Sequence, residues 1–270
     1  MQNRLNAQSK LEGNAQLSQL NQQVRSYWEQ EPCGSSIEIV GDLPKQGRSW
    51  FEQIEAHRYK IEPMIHSVAQ FTRHFGKTVL EVGVGAGTDH LQWARVGARL
   101  YGVDLTNAGI ETTRCHLRSF GFASDLQQAN AEELPFADEK FDVVYSWGVI
   151  HHADKPERIV AEIRRVLKPG GVFLGMMYGR HSIVAAKLWI RYSLFRLKPW
   201  MSFAEAIWNQ VESVGTKAYT VPELHKLFSD FSEFQAEPLL TYYDTRRLPR
   251  LLSKWFPDSW GWFIALRAIK

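Results

Sequence analysis

Apolar residues change their spacing several times along the chain, and each change marks an element. Over residues 50–75 they recur at helical spacing around Pro63, which predicts two helical pieces, the second opening at the proline. The run KTVLEVGVG then reads as a short strand ending in glycines, and TDHLQWARVGA as the helix after it. RLYGVDL predicts a second strand and NAGIETTRCHLRSFG a second helix closed by Gly121. LQQANA fits a third strand and KFDVVYSWG a fourth. DKPERIVAEIRRVLKPGG is a helix with a glycine stop, and VFLGMMY a fifth strand. Strands alternating with helices predict a parallel sheet covered on both faces. Ligands in such sheets bind beyond the carboxyl ends of the strands.

Three features fall on that edge. The turn in LEVGVGAGTD carries Gly83, Gly85 and Gly87, a G-x-G-x-G pattern that allows close backbone approach to a ligand beside a helix N-terminus, with Thr88 as the expected cap. Asp104 closes the second strand, where a carboxylate can accept both hydroxyls of a ribose. After the fourth strand comes SWGVIHH, with His151 and His152 adjacent. The sequence leaves their role open between acid–base or orienting work and packing or cofactor contact. Asp154 follows them, but Cys115 and His116 lie on another predicted helix at no matching spacing, so no metal site is expected.

Read in order, VLEVGVGAGTD, GVDL, NAEELPF, FDVVYSWGVIHH and RVLKPGG resemble the class I S-adenosylmethionine-dependent methyltransferases, in the branch acting on small molecules. The resemblance covers roughly residues 77–178, and YWEQEPCG at 27–34 is similar to an N-terminal segment of some members. It implies that Glu81, Gly83, Gly85 and Gly87 line the methionine side of S-adenosylmethionine, and that Asp104 holds the ribose with Leu105 beside the adenine. Asn130, Ala131 and Glu132 would contact the adenine, and Ser146 and Trp147 would flank the methionine moiety. Asn130 stands where the family more often has Asp. The position of His152 can serve such enzymes as a base or to place the acceptor.

The expected architecture is thus α/β: a Rossmann-like, mostly parallel seven-stranded sheet with helices on both faces. A mobile arm (1–22) and a helical lid (23–76) precede the core (77–178). A helical cap (179–218) follows strand five, and the last two strands fall in 219–270, in FQAEPLLTYYD and WGWFIALRAIK. From Arg180 to Trp200 the cap has five Lys or Arg and no acid. On a helical wheel Lys187, Arg191 and Lys198 make one stripe, beside Ile183, Ile190, Leu194 and Leu197. Such a helix over 181–198 either packs on the core as a cap with snorkelling cations, or covers a greasy acceptor or rests on a membrane surface. Tyr27, Trp28 and Arg58 are candidates for a lid over the site. Tyr178 and Tyr242 are candidates for the acceptor pocket, although Tyr242 and Tyr243 also fit alternating strand positions.

Composition narrows the functional classes only modestly. The chain is 44% hydrophobic and 23% charged, which argues against disorder throughout. A net charge of +3 is too weak a bias for a nucleic-acid binder. Two cysteines, Cys33 and Cys115, fit a reducing compartment, and with no apolar leader and no run of eighteen apolar residues a cytoplasmic protein is expected. The expected activity is methyl transfer by in-line displacement to oxygen or nitrogen of a small organic acceptor. A non-catalytic S-adenosylmethionine-binding protein and an NAD-dependent oxidoreductase are the alternatives.

Overall fold

A computed structural model describes residues 17–246 and 255–270; the first sixteen residues of the expected arm lie outside them. Helix α1 (Gln19–Gln30) takes in the rest of that arm, and Ser18 caps it by accepting from Asn21 N. Short α2 (Ile37–Val40) leads to α3 (Arg48–Ile61), and Pro63 precedes α4 (Met64–Ala69). The core then alternates β1 (Thr78–Val82), α5 (Thr88–Arg95), β2 (Arg99–Asp104), α6 (Asn107–Ser119), β3 (Asp125–Gln128), β4 (Phe141–Trp147), α7 (Pro156–Val166) and β5 (Leu167–Tyr178). The LKPGG stretch, expected as the glycine stop of the preceding helix, is already the start of β5, where Leu167 pairs with Phe141. The cap supplies α8 (Ile183–Tyr192) and α9 (Phe203–Gln210). The chain closes with α10 (Val221–Leu227), β6 (Glu233–Leu239), α11 (Tyr242–Thr245) and β7 (Phe263–Ile269).

These strands form one seven-stranded sheet in the order β3-β2-β1-β4-β5-β7-β6. All neighbours are parallel except β7, which runs antiparallel to β5 and β6. Strand order reverses between β1 and β4, so the crevice predicted by topology opens above those two strands. Alternation across the sheet divides the core. Leu80, Val82, Val144 and Phe173 face one layer with Ile163 of α7. Val79, Val143, Tyr145 and Trp147 face the other, with Trp93 and Leu91 of α5.

The cap departs from expectation. Helix α8 ends at Tyr192, a 3-10 turn covers Leu194–Arg196, and Leu197 takes a left-handed conformation at φ 55°. The wheel that aligned Lys187 with Lys198 therefore does not persist. Lys187 instead turns its Nζ to the carbonyl of Asp244. Tyr242 and Tyr243 also leave the sheet: β6 ends at Leu239, and Thr241 with Asp244 forms a capping box that starts α11. Among the described residues no helix is long and apolar enough to cross a membrane.

Candidate active site

A cavity of about 1330 Å³ lies above the switch point. That exceeds the usual range for one small ligand and leaves room for a cofactor and an acceptor together. One half is walled by the first two strand ends. Glu81, Gly83, Gly85, Asp104, Leu105, Asn130 and Ala131 all line it. Gly85, at φ 53°, has open space where a Cβ would stand, and its amide donates to Asp104 Oδ2 at 3.0 Å. Asp104 Oδ1 accepts from both the amide and the hydroxyl of Thr106, at 2.9 and 2.6 Å. Oδ2 therefore keeps a lone pair for a ligand hydroxyl, the feature a ribose requires. Burial raises the carboxyl above its ordinary range, against the bonds from Thr106 and Gly85.

Glu81 is in an unusual state. Ser124 Oγ donates to Leu100 O, so it accepts from Nε2–H of His90 at 2.9 Å. The Nδ1 of a neutral His90 is then an acceptor, and Glu81 Oε2 lies 3.0 Å from it. Burial brings the pKa of His90 down to about 3 and raises that of Glu81 well above the carboxylate range, with the charge of Asp89 adding to the rise. The proton therefore sits on Glu81, which donates to His90. A Glu81→Gln variant, whose amide can make the same donation, is expected to melt within about 2 °C of the wild type, since only exposed-site-sized changes in energy remain. A loss of many degrees in a thermal scan would show that the carboxyl is ionised after all.

Three resemblance-derived contacts are placed elsewhere: Gly87, Ser146 and Glu132. Gly87, not Thr88, occupies the N-cap of α5, and a Cβ on it would stand 3.0 Å from the backbone of Thr113 in α6. Its role is helix packing. Ser146 is fully buried on the sheet face opposite Trp147 and donates to Val82 O, because successive strand residues point to opposite sides. Trp147 does line the cavity, donating Nε1 to Glu62. Glu132 accepts from Asn21 Nδ2 and from Lys155 N, so its carboxylate fastens α1 instead of meeting an adenine. Asn130 uses Oδ1 on the amide of Glu132, which leaves its NH2 as the group for a base edge.

Helices α1 and α3 close the cavity from the N-terminal side. Asn21 Oδ1 accepts from Asp154 N, and Glu29 accepts from the amides of Asn107 and Ala108 at the start of α6. Arg58 reaches down to make two bonds to Asp89, at 3.1 and 2.7 Å, and Tyr59 and Tyr145 donate to the same carboxylate. Glu62 sits beside them, accepting from Trp147 and from Tyr243, with its pKa raised chiefly by burial. Trp28 lines the cavity with its ring edge-on to His152 at 5.6 Å, whereas Tyr27 packs against Trp28 and lies outside the lining.

The two histidines separate completely. His151 is fully buried and absent from the cavity wall, with its ring 3.8 Å from that of Tyr178. Burial first, then His152 and Lys217, hold its pKa far below the usual imidazole range, so it is a neutral packing residue and not a base. His152 lines the cavity. Its Nδ1 lies 3.0 Å from Thr216 Oγ1, whose own hydrogen goes to the carbonyls of Val211 and Ser213. Ser213 Oγ lies 3.0 Å from the same nitrogen; the tautomer in which Nδ1–H donates to Thr216 leaves the lone pair on Nε2. Nε2 is 3.2 Å from Glu212 Oε2, out of line for a hydrogen bond. Glu212 in turn accepts from Tyr178 OH at 3.0 Å. Thr216, Ser213 and Glu212 come from the cap and carry no motif, so sequence reading passes them by. Tyr242 and Tyr243 both line the acceptor side, joined by Val184, Leu188, Ile190 and Phe195.

A glycine turn, a strand-end carboxylate and a covered cavity at the switch point define an α/β protein that binds a nucleoside-bearing ligand. Residues 80–175 match the family model of a methyltransferase domain. A ubiquinone biosynthesis O-methyltransferase of Cereibacter sphaeroides is 31% identical over 134 residues, which are 47% of this chain and 54% of that protein. A fatty-acid O-methyltransferase of Mycolicibacterium smegmatis is 36% identical over 133 residues, 48% of this chain and 47% of its own. The chain thus spans about half the length of the curated relatives it matches. Among solved structures, the geranyl diphosphate C-methyltransferase of Streptomyces coelicolor, in complex with magnesium, geranyl diphosphate and S-adenosylhomocysteine, aligns with a TM-score of 0.58. It covers 93% of this chain and 97% of that one at 15% identity, a likeness of fold alone. Residues 80–175 are thus similar to a methyltransferase domain, and the likeness to these methyltransferases extends over about half of the chain.

Proposed function

We propose that the protein moves a methyl group from S-adenosylmethionine to an oxygen of a small, amphiphilic organic acceptor. The observation that carries this reading is the shared cavity: the Gly85–Asp104 wall and the His152 imidazole face one volume large enough for two ligands. When bound, S-adenosylmethionine supplies an activated methyl group on a sulfonium. Asp104 Oδ2 would hold its ribose and the NH2 of Asn130 its base. His152 Nε2 would take the acceptor's proton while Nδ1–H stays on Thr216. Glu212, held by Tyr178, would stabilise the imidazolium that results. Trp28 and α1 would keep water from the reacting groups.

An oxygen acceptor with a greasy portion is supported on two sides. The cap wall of the cavity is apolar, and the relatives compared above are named for O-methylation in ubiquinone biosynthesis and of fatty acids. Calorimetric titration with S-adenosylmethionine, S-adenosylhomocysteine and NAD tests the cofactor. The first two are expected to bind, and Asp104→Ala to weaken both about 10- to 100-fold through lost charge-assisted bonds. Preference for NAD would sink the assignment. Methyl-labelled cofactor incubated with phenolic and fatty-acid acceptors then tests transfer, and binding without transfer to any of them would favour a non-catalytic role.

A further inference from the structure

The edge of the cap where α8 stops has a surface unlike the rest. Leu194, Phe195, Leu197 and Trp200 are 48, 76, 83 and 78% exposed, a run of large apolar side chains that a water-facing surface seldom carries together. Arg191, Arg196 and Lys198 are exposed among them. The two guanidiniums lie over the ring of Tyr192, 5.3 and 5.2 Å from its centre, and among the described residues none of these three cations pairs with a carboxylate. No acid occurs between Arg180 and Trp200. Ile190, Arg191 and Phe195 are both exposed and part of the cavity wall, so the cavity opens within this patch.

We propose that this edge docks on an anionic lipid surface. Apolar side chains projecting from a basic rim match the boundary between acyl chains and negative headgroups, where the first are removed from water and the second neutralise the cations. The broken helix is what makes the patch: ending α8 at Tyr192 and reversing at Leu197 turns both kinds of side chain outward, where a continuous helix would have buried one face. Docking in this pose sets the cavity mouth against the bilayer. An amphiphilic acceptor then enters from the lipid without crossing water, a consequence that rests on the methyl-transfer reading, whereas docking itself does not.

The test is sedimentation of the full chain with vesicles of phosphatidylcholine, alone or mixed with phosphatidylglycerol. Binding to the mixed vesicles, falling as salt is added, is expected. Two double variants use side chains outside the cavity wall. Arg196→Gln with Lys198→Gln is expected to weaken partitioning about thirtyfold, from the usual contribution of a cation near such a surface. Leu197→Ser with Trp200→Ser is expected to weaken it at least as far. S-adenosylhomocysteine affinity, unchanged in both, certifies that each variant is folded and tests the cofactor reading separately. Wild-type protein left in the supernatant overturns the proposal, as does binding that survives either double substitution undiminished. A dimer seen in sedimentation velocity without vesicle binding, and lost with Leu197→Ser and Trp200→Ser, would assign the face to a second copy of the chain and likewise overturn it.

Discussion

Asp89→Ala is expected to cost about 3–5 kcal/mol of stability, the usual penalty for leaving the partner of a buried ion pair unpaired. Asp89 is 3% exposed and accepts from Arg58, Tyr59 and Tyr145. Removing it leaves the guanidinium with Glu62 alone, at 3.8 Å, and takes from two phenols the carboxylate they share. In a chain of this size the loss lowers the melting temperature by roughly ten degrees. The pH dependence carries the same signature. Burial pushes the Asp89 carboxyl up from its ordinary 3.8, but the Arg58 charge and the three donors outweigh it and hold it below. A depressed folded-state pKa means that its stabilisation is complete above pH 3.8 and is lost as the pH falls through the folded value. The variant should therefore lack the part of the acid unfolding limb that Asp89 supplies. Urea unfolding of both proteins at neutral and acid pH checks this. A neutral-pH difference under about 1 kcal/mol would reduce the pair to the standing of a surface bridge.

His152→Ala is expected to lower kcat about 10²- to 10⁴-fold on the true acceptor, the range for removing a positioned general base. S-adenosylhomocysteine affinity should be unaffected, because the cofactor wall lies on the other half of the cavity. Glu212→Gln keeps an acceptor for Tyr178 OH but loses the charge beside Nε2, so a smaller loss in kcat with the pH profile retained is expected. His151→Phe preserves a ring against Tyr178 and should leave the pH profile alone. Turnover and a pH profile that are both unchanged in His152→Ala would remove the histidine from the chemistry.

The strand-end wall of the cavity is the half that local sequence announces. Spacing in the glycine turn, and an acid closing the next strand, are backbone requirements, and backbone requirements leave marks in local sequence. Ser146, which the resemblance puts with Trp147 at the methionine moiety, faces the other side of the sheet, because neighbours in a strand point opposite ways. His151 and His152 stand on a 3-10 turn, where two successive side chains diverge by a third of a turn, and only the packing of Tyr178 on one and of Thr216 on the other assigns them. Glu132 fell to a partner 111 residues away, Asn21, which no local pattern could announce. The acceptor half was illegible for the same reason at larger scale. Glu62 meets Tyr243 across 181 positions, and Glu212 meets His152 through a cap whose helix breaks where its periodicity promised continuation.

That asymmetry bears on how such a protein changes its trade. On the proposed reading the wall for the methyl donor is drawn largely from one compact stretch, Glu81 to Leu105, inside the segment that matches the methyltransferase domain. The rest of the lining, which the proposed function gives to the acceptor, adds to Trp147 and His152 stretches from before and after that segment: Trp28 and Cys33, Val184 to Phe195, and Tyr242 to Arg246. Heredity can therefore redraw the customer without disturbing the currency. Kinship measured over 80–175 accordingly tracks the donor, and a catalogue of acceptors would have to be sought in the flanks.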